Sequence, residues 1–207
     1  SRVDIFQKFL IETINHEHLS YFAVKSLKTY FSRHEMELID VEHVLSKGGS
    51  LRCTVQHAQG LRSVDPSVAE FIAQEDELGI YDTAFYQPCR NQILSVRDEL
   101  KNALCELKEQ GHTFAGYGTS IGATILIYQL ELGEYLQFLV DDDPYRQNLV
   151  SPGYHIPVVS PETLSQDKPS YTLILAPLYA EQIMAKNSGY ADSGGHFIKI
   201  WPTVEIC

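Results

Sequence analysis

The densest group of acid–base side chains in the sequence lies near its start, at Asn15-His16-Glu17-His18. A histidine titrates near neutral pH, so its ring can remove a proton from carbon that a neighbouring carbonyl group has acidified. A carboxylate beside the ring can orient it and stabilise its protonated form. In an extended backbone His16 and His18 would point to one face and Glu17 to the other. The segment is therefore a candidate acid–base site.

Two other interpretations of this segment stay open. The His-x-His spacing of His16 and His18 also suits a metal ion. No third ligand is evident nearby in the sequence, so no metal is predicted. The remaining interpretation is that these are surface histidines without a chemical role.

A second candidate site is a glycine turn, Gly116-x-Gly118 followed by Gly122, which comes directly after a short apolar run. The two leading glycines are predicted to let the backbone turn tightly. A helical pattern begins near Thr119 or Ser120, and the first N–H groups of a helix are free to bind an anion. The turn therefore predicts a nucleotide or phosphate site. The alternative is that the glycines only allow close packing of a helix on a strand.

A second apolar run ends at Asp141, which lies 23 residues after Gly118. In a nucleotide-binding fold this is the position of a carboxylate that accepts hydrogen bonds from ribose hydroxyls. Strand, glycine turn, helix and second strand together predict a βαβ unit. The alternatives are that Asp141-Asp142-Asp143-Pro144 binds a divalent cation or is a solvated turn.

The surrounding elements predict an α/β fold. After residue 112 strands alternate with helices, which indicates a Rossmann-like parallel sheet flanked by helices. Residues 36–45 and 51–57 predict a β-hairpin, and residues 66–79 and 82–110 predict helices that connect it to the sheet. A hairpin leaves an open sheet edge, so a homodimer that pairs there is expected. No second nucleotide-binding half is predicted after the first, which disfavours an NAD-dependent oxidoreductase.

Composition excludes several classes of partner. The 207 residues carry a formal net charge of −11 with no compensating basic stretch, which argues against binding nucleic acid or an anionic membrane. No apolar run approaches the roughly 20 residues that a membrane helix needs. The four cysteines are isolated in the sequence and indicate reduced thiols of a cytoplasmic protein.

A series of motifs in this order resembles the S-adenosylmethionine-dependent C-methyltransferases that act on nucleotide-linked deoxysugars. The matching stretches cover nearly the whole chain and are HEHLSYF (16–22), GGSLR (48–52), PSVAEFIAQEDELGIYD (66–82), AGYGTSIGATILIY (115–128), FLVDDDPYRQNLVSPGYHIPVVSPE (138–162), YTLILAPLYAEQIMAK (171–186) and GGHFIKI (194–200).

The resemblance implies a longer enzyme, of which this chain would be the C-terminal portion. Residues 1–60 would be the end of the methyltransferase domain, 61–111 a helical connector, and 112–207 a Rossmann-like C-terminal domain. The glycine turn that binds S-adenosylmethionine in such enzymes has no counterpart here. The methyl donor is therefore expected to need an upstream segment, and this chain alone is expected to be inactive.

The resemblance also implies roles for the acid–base segment. His18 would be the base that removes a proton next to the ketone of a keto-deoxysugar nucleotide, and Glu17 and His16 would be its neighbours. Asn15 stands where the family motif carries tyrosine, and an amide can still donate a hydrogen bond to the substrate.

In the C-terminal domain, the resemblance implies that the nucleotide sugar is held by the glycine turn and the residues near it. Ile121 stands where the family often has lysine, so phosphate contacts would depend on backbone N–H groups and hydroxyls. The expected substrate-binding residues are Gly116, Tyr117, Gly118, Thr119, Ser120, Asp141 and His155. The alternative is a non-catalytic module that binds a nucleotide or sugar nucleotide, or serves in assembly.

Overall fold

The computed structural model describes residues 2–207, apart from the side chain of Lys47. The chain forms two compact units that divide between Arg90 and Asn91. The domain boundaries expected near residues 60 and 111 stay predictions. Within residues 2–207, no helix has both the length and the apolar composition needed to cross a bilayer.

The first unit is built on a β-hairpin. Strands β1 (Met36–Val44) and β2 (Ser50–His57) pair antiparallel, which confirms the hairpin. The other elements of this unit are α1 (Arg2–Gln7), α2 (Val24–Arg33) and α3 (Ser67–Glu77), with 3₁₀ turns at Ile11–Thr13, Ser46–Gly48 and Thr83–Tyr86.

Apolar side chains of α2 and α3 pack on one face of the hairpin. Val24 and Val68 from the helices meet Leu38 and Val41 from β1, and all four side chains are buried. Strict alternation would place Leu38 and Val41 on opposite faces, because they are three positions apart. A shift of register between Leu38 and Asp40 brings both to the core.

The second unit begins within α4 (Gln87–Glu109) and contains a six-stranded sheet. Its strands are β3 (Phe114–Tyr117), β4 (Leu136–Val140), β5 (Val158–Val159), β6 (Tyr171–Ile174), β7 (His196–Lys199) and β8 (Glu205–Ile206). The helices between them are α5 (Ile121–Gln129), α6 (Thr163–Asp167), α7 (Ala180–Lys186) and α8 (Ser188–Asp192), with a 3₁₀ turn at Pro177–Tyr179.

The strand order is β5-β4-β3-β6-β7-β8, and only β8 runs antiparallel to its neighbour. This is the order of a doubly wound nucleotide-binding sheet, with three strands on each side of the point where the chain reverses direction. The α/β fold with a parallel sheet flanked by helices is confirmed. The prediction that no second half follows was wrong, because β6, β7 and β8 form it. The antiparallel β8 gave little signal in the sequence, because it has only two residues.

Candidate functional site

A cavity of about 330 Å³ opens at the switch point of the sheet. Strands β3 and β6 are neighbours there, and the chain leaves their carboxyl ends in opposite directions, which opens a crevice in folds of this kind. The lining residues come from the turn after β3, the loop after β4, and the segment from the end of β6 into α7. They are Tyr117, Gly118, Thr119, Ser120, Asp141, Asp142, Arg146, Ala176, Tyr179, Gln182, Ile183 and Lys186.

Gly118 makes the turn from β3 into the cavity. Its φ is +111°, and a Cβ placed on it would lie 3.3 Å from Cβ of Ala176. A larger residue would be strained in this conformation and crowded by its neighbour. Helix α5 follows at once, and the Ser120 hydroxyl caps it by accepting the Ala123 N–H at 3.2 Å. The predicted glycine turn and helix start are confirmed.

Gly116 has a different role from the predicted one. It lies inside β3, where a Cβ would come within 2.6 Å of Leu175 Cδ1 and 2.7 Å of Leu139 Cδ2. The residue is needed for close packing of neighbouring side chains on the strand, and it does not line the cavity. The packing interpretation therefore applies to Gly116, and the turn interpretation applies to Gly118.

Asp141 holds the loop after β4 to the glycine turn. Its Oδ2 accepts the Thr119 N–H at 2.9 Å and the Thr119 hydroxyl, and its Oδ1 accepts the Asp143 N–H at 2.9 Å. Burial raises the pKa of Asp141, but hydrogen bonds from Thr119 and Asp143 and the charge of Arg146 outweigh it, so the pKa is lowered. The carboxylate stays ionised and is largely occupied by protein donors.

Asp142, which also lines the cavity, is paired with two other lining residues. Its Oδ1 accepts the Tyr117 hydroxyl at 2.9 Å and the Lys186 ammonium at 2.5 Å. The pKa of Tyr117 is raised, mainly by burial and to a smaller extent by the nearby carboxylates. The phenol therefore keeps its proton and acts as a hydrogen-bond donor. The negative charge of Asp142 is thereby balanced within the cavity wall.

Arg146 is the cation with the most donors available to a ligand. Its guanidinium reaches Asp141 Oδ2 at 3.4 Å and Asp143 Oδ2 at 3.5 Å, both at the long limit of hydrogen bonding. About half of its side chain is exposed (47%). An incoming anion can therefore accept hydrogen bonds from the remaining N–H groups of Arg146 without breaking a strong ion pair.

His155 does not join this group. It lies in an exposed turn with φ +53°, where its N–H donates to the Ser151 carbonyl at 3.1 Å. It is absent from the lining of the cavity.

The acid–base segment lies in the first unit, at a cavity of about 360 Å³ that is lined by His18, Tyr21, Thr13 and Cys53 among others. The segment is a turn rather than an extended strand, because the His18 N–H donates to the Asn15 carbonyl at 3.1 Å. The expectation that His16 and His18 share a face through extension therefore does not apply.

His18 has a defined tautomer. Its Nδ1 lies 3.0 Å from the Thr13 carbonyl oxygen, which can only accept a hydrogen bond. Nδ1 therefore carries the proton of the neutral ring, and Nε2 keeps the lone pair that a base requires. The Tyr21 hydroxyl and the Asn15 amide also donate to this carbonyl, at 3.1 and 3.3 Å.

The neighbours predicted for His18 are arranged differently from expectation. Asn15 Oδ1 accepts the Glu17 N–H at 3.0 Å and so stabilises the turn. His16 and Glu17 are exposed. Among the described residues, no hydrogen bond or ion pair joins the Glu17 carboxylate to the His18 ring, which the Thr13 carbonyl orients instead. Nor does any set of three His, Cys, Asp or Glu side chains within residues 2–207 have an arrangement that could hold a metal ion.

Sequence reasoning missed several residues at the two cavities. Arg146, Lys186, Tyr179 and Gln182 line the cavity in the second unit, and Tyr21 lines the one in the first. Arg146 follows Asp141 by five positions, so a cation next to the carboxylate was a usable signal. Lys186 is brought to Asp142 only by the packing of α7 beside β4, which no local pattern encodes.

Comparison with known proteins identifies the family. Residues 45–202 match the model of the C-methyltransferase C-terminal domain. The chain is also 32% identical, over 197 residues, to the C-methyltransferase NovU of Streptomyces niveus, and the match covers 95% of this chain and 47% of that relative. The chain thus spans about half the length of the curated relative that it matches. By both comparisons it belongs to the family of the C-methyltransferase C-terminal domain.

Proposed function

We propose that this chain is the C-terminal portion of an S-adenosylmethionine-dependent C-methyltransferase. Its substrate would be a nucleotide-linked keto-deoxysugar, methylated on the carbon next to the ketone. The observation that carries the proposal is the cavity at the switch point, which combines a glycine turn and a helix start with two cations, Arg146 and Lys186. Membership of a C-methyltransferase family favours this proposal over a non-catalytic binding module.

The second unit binds the nucleotide. The diphosphate accepts hydrogen bonds from the N–H groups at the start of α5 and from the hydroxyls of Thr119 and Ser120. Arg146 supplies positive charge. An unpaired Asp141 carboxylate would repel phosphate, but its oxygens accept hydrogen bonds from Thr119 and Asp143. Its function is to fix the turn that binds the phosphates.

The paired residues Tyr117 and Asp142 bind hydroxyl groups of the substrate. The Tyr117 phenol, which keeps its proton, can donate a hydrogen bond, and the Asp142 carboxylate can accept one. Gly118 lets the backbone approach the ligand closely. His155 is outside the cavity lining and has no part in this binding mode.

The first unit supplies the base. Nε2 of His18 removes the proton from carbon next to the ketone, which leaves an enolate on the sugar and an imidazolium on the protein. The Thr13 carbonyl, hydrogen-bonded to Nδ1–H, holds the ring in the required tautomer and stabilises its charged form. Asn15, His16 and Glu17 form the turn that positions His18 and surround it with polar groups.

S-adenosylmethionine supplies the methyl group as an electrophile when it is bound. The described residues of the first unit do not fit it, because the only sheet there is the antiparallel β1–β2 pair, without a glycine turn between parallel strands. In the second unit the corresponding carboxylate, Asp141, is already occupied by Thr119 and Asp143. We assign donor binding to residues outside this chain, and no contact with the donor to residues within it.

His18→Gln in the full-length protein tests the role of the base. Proton removal is monitored through the incorporation of solvent deuterium at the carbon next to the ketone. Methyl transfer is measured in the same samples. We expect kcat to fall by about 10²- to 10⁴-fold with little change in KM, because glutamine cannot accept the proton. The control is His57→Gln, an exposed residue of β2, which should leave both rates unchanged. Exchange and methyl transfer that stay within twofold of wild type in His18→Gln would contradict the proposal.

A further inference from the structure

Tyr21 lies beside His18 in the cavity of the first unit, and both residues line it. The centroids of the two rings are 6.3 Å apart, and the rings meet edge to face at 75°. Tyr21 is half-buried, whereas His18 is exposed. The base proposed above and a phenol hydroxyl therefore border the same cavity at close range.

The Tyr21 hydroxyl is held by the turn that carries the base. It donates to the Thr13 carbonyl at 3.1 Å and accepts the Asn15 N–H at 3.2 Å. Nδ1 of His18 donates to the same Thr13 carbonyl. One backbone group therefore positions both the base and the phenol oxygen.

The Thr13 carbonyl has more donors than lone pairs. Its oxygen has two lone pairs, but Nδ1 of His18, the Tyr21 hydroxyl and the Asn15 amide approach it at 3.0, 3.1 and 3.3 Å. If the hydroxyl turns away, His18 and Asn15 still occupy both lone pairs. A hydroxyl proton rotates about its C–O bond without movement of the ring. Tyr21 can therefore redirect its hydrogen bond toward a ligand at little cost.

Three further residues that carry donors and line this cavity are already engaged. The hydroxyls of Thr13 and Ser50 each donate to a backbone carbonyl, at 2.7 and 3.1 Å. The Arg2 guanidinium lies over two tyrosine rings, 5.9 and 5.3 Å from their centroids. Tyr21 combines a hydrogen bond that can be redirected with direct ring contact to the base.

Proton removal next to a ketone creates a need for such a donor. When Nε2 of His18 takes the proton, the C–H bond breaks and its electron pair forms a double bond to the carbonyl carbon. The π electrons of the ketone move onto its oxygen, which becomes an enolate anion. A donor aimed at this developing charge lowers the barrier, and it must lie beside the base because the two reacting atoms are close together.

We propose that Tyr21 is a further catalytic residue, whose hydroxyl donates a hydrogen bond to the enolate oxygen while His18 removes the proton. The phenol keeps its own proton, and the Asn15 amide replaces it on the Thr13 carbonyl. The inference deepens the proposed function and rests on it.

Tyr21→Phe in the full-length protein removes the hydroxyl and keeps the ring. Proton removal is monitored by incorporation of solvent deuterium, as for His18→Gln. We expect its rate to fall by about 10²- to 10³-fold with little change in KM, as for the loss of one donor to an oxyanion. Tyr30→Phe is the matched control and should keep the wild-type rate. Tyr30 is exposed (57%), its ring lies 4.5 Å from that of His34, and it is outside the lining of this cavity.

The ¹⁵N signals of the His18 ring distinguish a direct role from a positioning role. In a neutral imidazole the protonated and unprotonated nitrogens give separate signals. We expect Nδ1 of His18 to stay the protonated nitrogen in Tyr21→Phe, because the Thr13 carbonyl still accepts its hydrogen bond. A lower rate together with a changed tautomer would mean that the hydroxyl only positions the base, and the inference would be overturned.

An unchanged rate of proton removal in Tyr21→Phe would also overturn the inference. The proposed function would stand in that case if His18→Gln still loses the rate, and it would be wrong if His18→Gln keeps it. If Tyr21→Phe does not fold, replacement of Tyr21 by 3-fluorotyrosine decides instead. This analogue keeps the ring and the hydroxyl but is a stronger hydrogen-bond donor, so proton removal should be faster than in wild type. A rate equal to that of wild type would count against the role.

Discussion

At the residue scale, Asp141 shows how a side chain predicted to bind substrate can instead build the site. The sequence correctly placed a carboxylate at the end of the second strand of the sheet. Its oxygens, however, accept hydrogen bonds from Thr119 and Asp143, which fix the turn above the helix start. Which donors a carboxylate meets depends on side-chain geometry between separate loops, and no spacing rule supplies that.

Asp141→Asn should destabilise the chain in a pH-dependent way. The amide replaces one accepting oxygen with a donor that faces other donors, so the free energy of unfolding should fall by about 1 to 3 kcal/mol at pH 7. Because the folded-state pKa is lowered, the carboxylate's stabilisation is complete above the unfolded pKa of about 3.9 and is lost as the pH falls through the folded value. The difference in unfolding free energy between Asp141→Asn and wild type should therefore be smaller at pH 3 than at pH 7.

Urea unfolding at pH 7 and pH 3 measures this difference. Asp167→Asn is the control, since Asp167 is exposed at the end of α6, and it should change stability little at either pH. An Asp141→Asn variant with the same deficit at both pH values would show that the ionised carboxylate is not the source of stability.

At the element scale, helix α2 depends on a residue from another helix for its N-terminal cap. The residue before α2 is Ala23, which has no polar side chain to cap the helix. Glu75 of α3, which is 3% exposed, does so instead by accepting the Val24 N–H at 2.5 Å and the Lys25 N–H at 3.0 Å. A carboxylate at this end of a helix also interacts favourably with the helix dipole.

Glu75→Gln should therefore weaken the start of α2. We expect a loss of about 1 to 3 kcal/mol in the free energy of unfolding, since one accepting oxygen becomes a donor. Hydrogen exchange at the Val24 and Lys25 amides should also become faster. Glu77→Gln, an exposed position in the same helix, is the comparison. Unchanged amide exchange in Glu75→Gln would argue against the cap.

At the same scale, the sequence predicted elements with strong periodicity and missed those that depend on contacts. The hairpin, the helix after the glycine turn and the short apolar strands β3, β4 and β6 were all recognisable from their patterns. The antiparallel β8 has only two residues, Glu205 and Ile206, and both are exposed, so no hydrophobic pattern marks it. Pairing of two copies through the hairpin edge stays a prediction.

At the scale of the whole molecule, the net charge of −11 does not prevent the proposed binding of a diphosphate, because the charges next to the cavity are compensated locally. Asp142 is balanced by Lys186, and Asp141 is occupied by hydrogen-bond donors, so Arg146 is left to attract the anion. The glycine turn, the helix start and Asp141 were predictable because they are close in sequence. Lys186 was not, because it approaches Asp142 only when the sheet is assembled.

The central claim is that the unit from Asn91 to Cys207 binds a nucleotide at its switch point. Its most direct test is titration of the ¹⁵N-labelled chain with a nucleoside diphosphate, followed by NMR. We expect shifts of the Gly118, Thr119 and Ser120 amides. We also expect Arg146→Gln to weaken binding about tenfold, as for the loss of one charged hydrogen bond. Arg33→Gln, an exposed arginine of α2, should bind as wild type does. No shift at these three amides at millimolar ligand, or unchanged affinity in Arg146→Gln, would show that no nucleotide binds at this switch point.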